Sequence, residues 1–205
     1  VADFSWSESA GRFRDGRGRF VPEASVRDGV DATVNAASAR AVSLAQDLRE
    51  GKIGIDAFRD GMFRVIKDVH IASALAAYGG KNAMTPERYG YTGHLIKEQY
   101  QYMRGFLTDI ISGKQALNGR IDVRVAMYAE AGRTTYEMIR LREGKRRGIT
   151  QVRNILHAQE SCEQCKGITA RGWVDPDDMV PIGARQCLSR CRCTLEMRGN
   201  RKDAA

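Results

Sequence analysis

The chain has 205 residues, a net charge of +8 and a sequence pI near 9.4, a size that allows one good-sized domain, or one domain plus a small module with its own stabilising device. Hydrophobic residues at 42% and charged residues at 28% are ordinary for a globular protein, and no apolar run approaches the roughly 18–20 residues that span a bilayer, so no membrane role is expected. The opening VADFSWSESAGRFRDGRGRF lacks the apolar core of a secretory leader, which points to assembly in a cytoplasm.

Residues 1–22 read as an extended arm. GRFRDGRGRF mixes small, charged and isolated aromatic residues with no helical or strand period, and Pro22 restricts the backbone just before a new pattern begins. Such an arm is not expected to pack by itself. It can order against a neighbouring subunit, with Phe13 and Phe20 as anchors and Arg12, Arg14, Arg17 and Arg19 as charge contacts; without a partner it reads as a floppy terminus.

From residue 25 the period becomes helical. Ser25 and Asp28 fit a capped helix start, and Val26, Val30, Val34, Ala37, Ala41, Leu44 and Leu48 fall on one face. Gly51 and Gly54 end that helix. Ile55, Phe58, Met62, Val65, Ile66, Val69, Ala72 and Leu75 then define a second, closed by Gly79-Gly80. Thr85-Pro86 starts a third, with proline at the first helical position. Its stripe runs through Tyr89, Leu95, Ile96, Gln99, Tyr102, Met103, Phe106 and Ile110 to Gly113, although Gly90, Gly93 and Gly105 allow a kink. A fourth begins near Asn118, carries Ile121, Val125, Tyr128, Ala129, Gly132, Tyr136 and Ile139, and is expected to stop at Gly144. Short connections make sequential helices antiparallel neighbours. The fold class is therefore mainly α: a bundle of about four helices over residues 23–147, with the arm before it and a small β-hairpin cysteine module after it. His70 and His94 are isolated in this body, and it shows no paired carboxylates, phosphate loop or nucleophile motif.

The module spans residues 148–198, with 199–205 as a flexible tail. ITQVRNILHA alternates like a short strand, and CRCTLEMR at 191–198 has the same character. All five cysteines lie here, as a CxxC at 162–165 and a CxxxCxC at 187–193. A CxxC and a second cysteine group brought together by a hairpin suit a tetrahedral zinc ion, and Lys166, Arg185, Arg190 and Arg192 would offset the thiolate charge. So small a module needs a staple. Zinc, two disulfides and an unligated thiol cluster all stay open. Cys162 and Cys165 are the firmest ligands; Cys187 and Cys191 complete the preferred set, with Cys193 as substitute for either and His157 as a competitor. A thioredoxin-like redox role fits less well, because CEQC follows no βαβ pattern.

The run HAQESCEQC, then GW, then PIGARQCLSRCRCTLEM resembles the C-terminal segment of tailed-phage minor head proteins of the Mu F-like head-morphogenesis family. GRFRDGRGRFVPEASVRDGV also looks like the opening of phage and prophage structural proteins. In that family a terminal His stands where this chain has Cys187, so the ligand carry-over is to Cys162 and Cys165. The resemblance implies a non-catalytic virion component, associated with portal, capsid or neck subunits in a symmetric assembly and put together in the host cytoplasm; a head–tail connector or a capsid-stabilising protein belongs to the same class. From a different class, the tail's arginines and Lys145, Arg146 and Arg147 fit a zinc-containing nucleic-acid-binding regulator, or a weak DNA contact, although no recognition helix is evident after the CxxC. An enzyme would need an open zinc position and a general base, for which WVDPDDMVP and Glu196 give little support.

Overall fold

The computed structural model describes residues 4–199; of the tail, positions 200–205 lie outside the described residues. The apolar spacings become four long helices: α1 (Glu23–Arg49), α2 (Ile55–Tyr78), α3 (Pro86–Ile111) and α4 (Arg120–Arg146). Each has a local reason to start or stop. The Thr85 hydroxyl caps α3 by accepting from the Arg88 amide at 3.3 Å, with Pro86 in the first turn, where its missing donor costs nothing. Gly79, at φ 92°, supplies the left-handed residue that closes α2. α3 is continuous across its three glycines.

Val26, Val30 and Val34 of α1, Phe58, Met62, Val65 and Ile66 of α2, and Ile121, Val125 and Ile139 of α4 form one buried cluster, each side chain contributing about 1.5–3 kcal/mol by leaving water. α3 lies at the bundle's edge. It buries Leu95, Met103, Phe106 and Leu107, while Tyr89 and Tyr102, placed on its apolar stripe by spacing, are 49% and 66% exposed. Ion pairs clamp α1 to α4: Arg27 Nε to Glu137 at 2.9 Å and Arg140 Nη2 to Glu23 at 2.9 Å. These contacts explain why α1 begins at Glu23 rather than at a Ser25 cap. Starting earlier places Glu23 in the first turn, favourable for a carboxylate, within reach of Arg27 and Arg140.

The N-terminal segment is not a free arm. Strands β1 (Ser5–Ser7), β2 (Arg12–Arg14) and β3 (Phe20–Val21) form an antiparallel meander, with Trp6 opposite Phe13 and Phe13 opposite Val21. Phe4 and Phe13 join the helical core, Phe13 at 2% exposure. The Trp6 and Phe13 rings meet edge to face at 4.9 Å, and the Arg140 and Arg147 guanidinium groups lie 5.3 and 4.2 Å from the Trp6 ring. The Trp6 amide donates to the Gly79 carbonyl at 3.1 Å. A Cβ on Gly79 would sit 2.3 Å from that of Trp6, so glycine is required there for approach as well as for φ. The reading of this segment as an extended arm or floppy terminus is corrected: it is a meander ordered on its own chain, because the helices supply the core it lacks. Phe13 is consequently unavailable as an anchor for another subunit.

At the other end, β4 (Ile149–Ile155) pairs antiparallel with β5 (Thr194–Gly199), Asn154 opposite Leu195 and Val152 opposite Met197. Between them, α5 (Glu163–Ala170) follows the first CxxC cysteine, a helix that the sequence reading did not find. Leu141 of α4, Val152, Ile168, Met179, Ile182, Leu195 and three cysteines form a second buried cluster. α4 does not stop at Gly144 but runs two residues further, and a Cβ at Gly144 would lie 2.9 Å from both Ile149 Cδ1 and Met197 Sδ. The glycine is a seat for the hairpin rather than a terminator. Arg27 Nη2 donates to the Leu195 carbonyl at 2.9 Å, and Arg192 pairs with Glu130, so the module is packed back on its own helical body. No helix among the described residues is long and apolar enough to cross a membrane.

Candidate metal centre

Three pieces of chain converge on the sulfurs. Cys162 caps α5 and Cys165 lies in its first turn. Cys187, Cys191 and Cys193 come from the loop that enters β5. The Gln186 amide donates to Gln164 Oε1 at 2.6 Å, tying that loop to α5. Leu188, within it, has φ 47°, a left-handed conformation that costs a leucine of order 1 kcal/mol.

The five cysteines form two overlapping triads: Cys162, Cys165 and Cys187, and Cys165, Cys191 and Cys193, with the sulfurs of each triad mutually within 4.8 Å. Cys165 is common to both. Its sulfur stands 3.6 Å from that of Cys187 and 3.8 Å from that of Cys191, and all five are free thiols. Such a cluster can hold a thiophilic metal ion. His157 is not part of it: its Nε2 lies 2.8 Å from Thr194 Oγ1.

Arg185 is the decisive neighbour. Its side chain is 1% exposed and donates to Asn154 Oδ1 at 2.7 Å and to the Val180 carbonyl at 2.9 and 3.0 Å. Nη1 stands 3.9 Å from the sulfurs of both Cys165 and Cys191. No carboxylate among the described residues is within ion-pair distance of it. A buried cation without an anion is costly, and thiolates are the anions at hand. Of the other cations expected to offset their charge, Lys166 is engaged by Glu163 and Arg192 by Glu130.

Three of the thiols resist ionisation. Burial pushes Cys187 up to about 11 and raises Cys165 as well, and a hydrogen bond with Cys191, with burial, raises Cys193. Cys162 is held below the ordinary thiol value by the Cys165 backbone N–H at the start of α5. A bound cation would resolve both problems by drawing protons off the thiols and giving Arg185 its counter-charge. Second-layer contacts support the site: Asn154 Nδ2 donates to Thr169 Oγ1 at 2.7 Å, which donates to the Cys165 carbonyl at 2.9 Å. The cavity bordering Cys191 and Cys193 measures about 60 Å³, room for a few waters.

The sequence places Cys162, Cys165, Cys187, Cys191 and Cys193 correctly as one cluster, and Arg185 beside it, but gives no sign that Arg185 alone is buried. Asn154 and Thr169 carry no motif that could have revealed them. Trp173 is stacked between Arg153 and Arg198 at 4.7 and 4.1 Å, while Met179 and Ile182 of the following loop are buried. Comparison with protein-family models, curated proteins and solved structures finds no match.

Proposed function

We propose that the chain is a non-catalytic structural protein of a tailed-phage virion, of minor head or head-morphogenesis type, whose C-terminal module is held by one structural zinc ion. The observation that carries the structural reading is the convergence of five sulfurs from three pieces of chain, with buried Arg185 against them. Cys162, Cys165, Cys187 and Cys191 would hold the ion, with Cys193 as the substitute. Tetrahedral Zn–S contacts of about 2.3 Å put sulfurs about 3.8 Å apart, which compares with 3.6 and 3.8 Å at Cys165.

The virion reading rests on the CxxC…CRC segment and its resemblance to phage minor head proteins. Portal, capsid or neck subunits are the partners it implies, with assembly in the host cytoplasm. The regulator reading is weaker: α5 begins inside the CxxC, but it carries only Glu163 and Lys166 as charges, paired with each other at 2.7 Å, so it offers no basic face to a groove.

Two measurements test the proposal. Protein purified under reducing conditions should contain about one zinc per chain; a content well below that rejects the metal. A mass-spectrometric census of purified particles should contain the chain, with about 12 copies favouring a connector ring over a shell role. Absence from the particle rejects the virion reading.

A further inference from the structure

Over much of this surface, arginines meet carboxylates. Arg49 faces Asp122, Arg124 faces Asp109, Arg142 and Arg146 share Glu87, and Arg147 reaches Glu8. The β2–β3 hairpin differs. Arg12, Arg14, Arg17 and Arg19 accompany one acid, Asp15, whose carboxylate is taken up by the turn itself. It accepts from the Arg17 and Arg19 amides at 2.9 and 3.0 Å and pairs with the Arg19 side chain at 2.8 Å. Among the described residues, no carboxylate lies within 4.0 Å of the Arg12, Arg14 or Arg17 guanidinium groups.

The fold arranges these charges on one face. Because Phe13 points into the core, its strand neighbours Arg12 and Arg14 point outward. Phe20, opposite Arg14 in register, has the Arg12 and Arg14 guanidinium groups 5.1 and 4.0 Å from its ring centroid. Arg14 also donates to the Gly18 carbonyl at 2.8 Å. Stacking and hydrogen bonding fix the guanidinium planes without neutralising them. The meander itself is held to the helices by Trp6 and Phe13, so the charges stand on an ordered platform.

We propose that the outer face of the β2–β3 hairpin binds the phosphate backbone of nucleic acid, with Arg12, Arg14 and Arg17 as the phosphate contacts and Phe20 positioning the first two. A polyanion fits better than an acidic protein surface. A stable protein interface buries about 800 Å² per partner around an apolar centre, and this face offers one apolar side chain, Phe20, at 41% exposure. Nucleic acid needs no such centre, because counterion release supplies the affinity. The inference goes beyond the virion reading and is tested apart from it, since binding by the purified chain does not depend on what particles contain.

The experiment is fluorescence anisotropy of a labelled DNA duplex of about 20 base pairs with the full, metal-loaded chain over a salt series. Three contacts predict a log–log salt slope near −3, so affinity should fall about 40-fold between about 50 and 200 mM salt. The triple variant Arg12→Gln/Arg14→Gln/Arg17→Gln, with circular dichroism unchanged, should lose at least about tenfold in affinity at the lower salt and most of the slope. Phe20→Leu keeps all three charges and should retain the slope, and Arg171→Gln/Arg190→Gln in the cysteine module should bind as the parent does. Absence of salt-dependent binding, a triple variant equal to the parent, slope loss in the Phe20 or module variants, or displacement by polyglutamate as effective as by unlabelled duplex would each overturn the proposal.

Discussion

The two ends of the chain solve the same problem differently. Neither the meander at residues 5–21 nor the module at 149–199 is large enough to stand on apolar burial of its own. The meander borrows a core, inserting Phe4 and Phe13 among the side chains of the helical bundle and stacking Trp6 under Arg140 and Arg147. The module builds a second, smaller core to which the helical body contributes Leu141, and it places five thiols and a buried guanidinium at the centre. A segment that shares a neighbour's core needs only shape, whereas one that encloses a charge needs a counter-charge.

The sharpest way to break this contrast is Cys165→Ser, which removes the sulfur common to both triads. Metal content should fall to near zero, forfeiting on the order of 10 kcal/mol of metal-coupled folding, and amide exchange should accelerate across β4, α5 and β5 while α1, α2 and α4 stay protected. Uniform exchange loss over the whole chain would show that the two ends are not separately stabilised. The reciprocal test at the other end is Gly79→Ala. The added methyl meets Trp6 and the backbone is left-handed, so a cost of about 3 kcal/mol is expected, seen as a Trp6 fluorescence shift with metal content unchanged.

Acid separates the regions further. His70 is buried between α2 and α4, with Nδ1 2.6 Å from Thr135 Oγ1, and burial lowers its pKa from 6.5 to about 4. Its contribution is fully present above pH 6.5 and is lost as pH falls toward 4, because the unfolded chain takes up the proton first. The loss amounts to about 3 kcal/mol. Urea midpoints of the helical body measured across that window should fall in the parent and fall less in His70→Gln; equal pH dependence in the two would reject the assignment.

Smaller effects sharpen the picture at the metal centre and on the surface. Arg185→Met should weaken metal affinity about 10- to 100-fold, as loss of an outer-layer partner does, and should leave the meander untouched. Unchanged affinity in a metal titration would mean that the guanidinium is not the counter-charge. Arg40→Ala, which breaks a long and exposed pair with Asp68 at 3.8 Å, should change thermal stability by less than about 0.5 kcal/mol, a baseline for judging the other variants.

The helices were legible because a spacing of three and four is a local signal, strong over 24 to 27 residues. Cysteine clustering was legible because the hairpin strands alternate and bring 162–165 toward 187–193. The meander was not. Its strands are two or three residues long, and Phe13 finds its place against helices far along the chain, which no local period encodes. Gly144 misled for a related reason: glycine in a helix reads as a stop when nothing local shows that another element needs the space. Arg185 looked like one basic residue among several, since burial of a charge is decided by what surrounds it in three dimensions. That the cluster could hold a metal ion was legible only as far as the preference of five thiols for a thiophilic one.

The seat at Gly144 ties the hairpin to the helix through both of its strands. The two atoms that close over its bare backbone, Ile149 Cδ1 and Met197 Sδ, come from opposite strands on either side of the cysteine loop. Neither strand alone fills the gap; both are present there only once β5 has zipped onto β4, which in turn requires the intervening loop to be drawn in. The absent side chain thus couples hairpin closure to docking on α4: the paired strands make both contacts there, and one strand alone makes half of them.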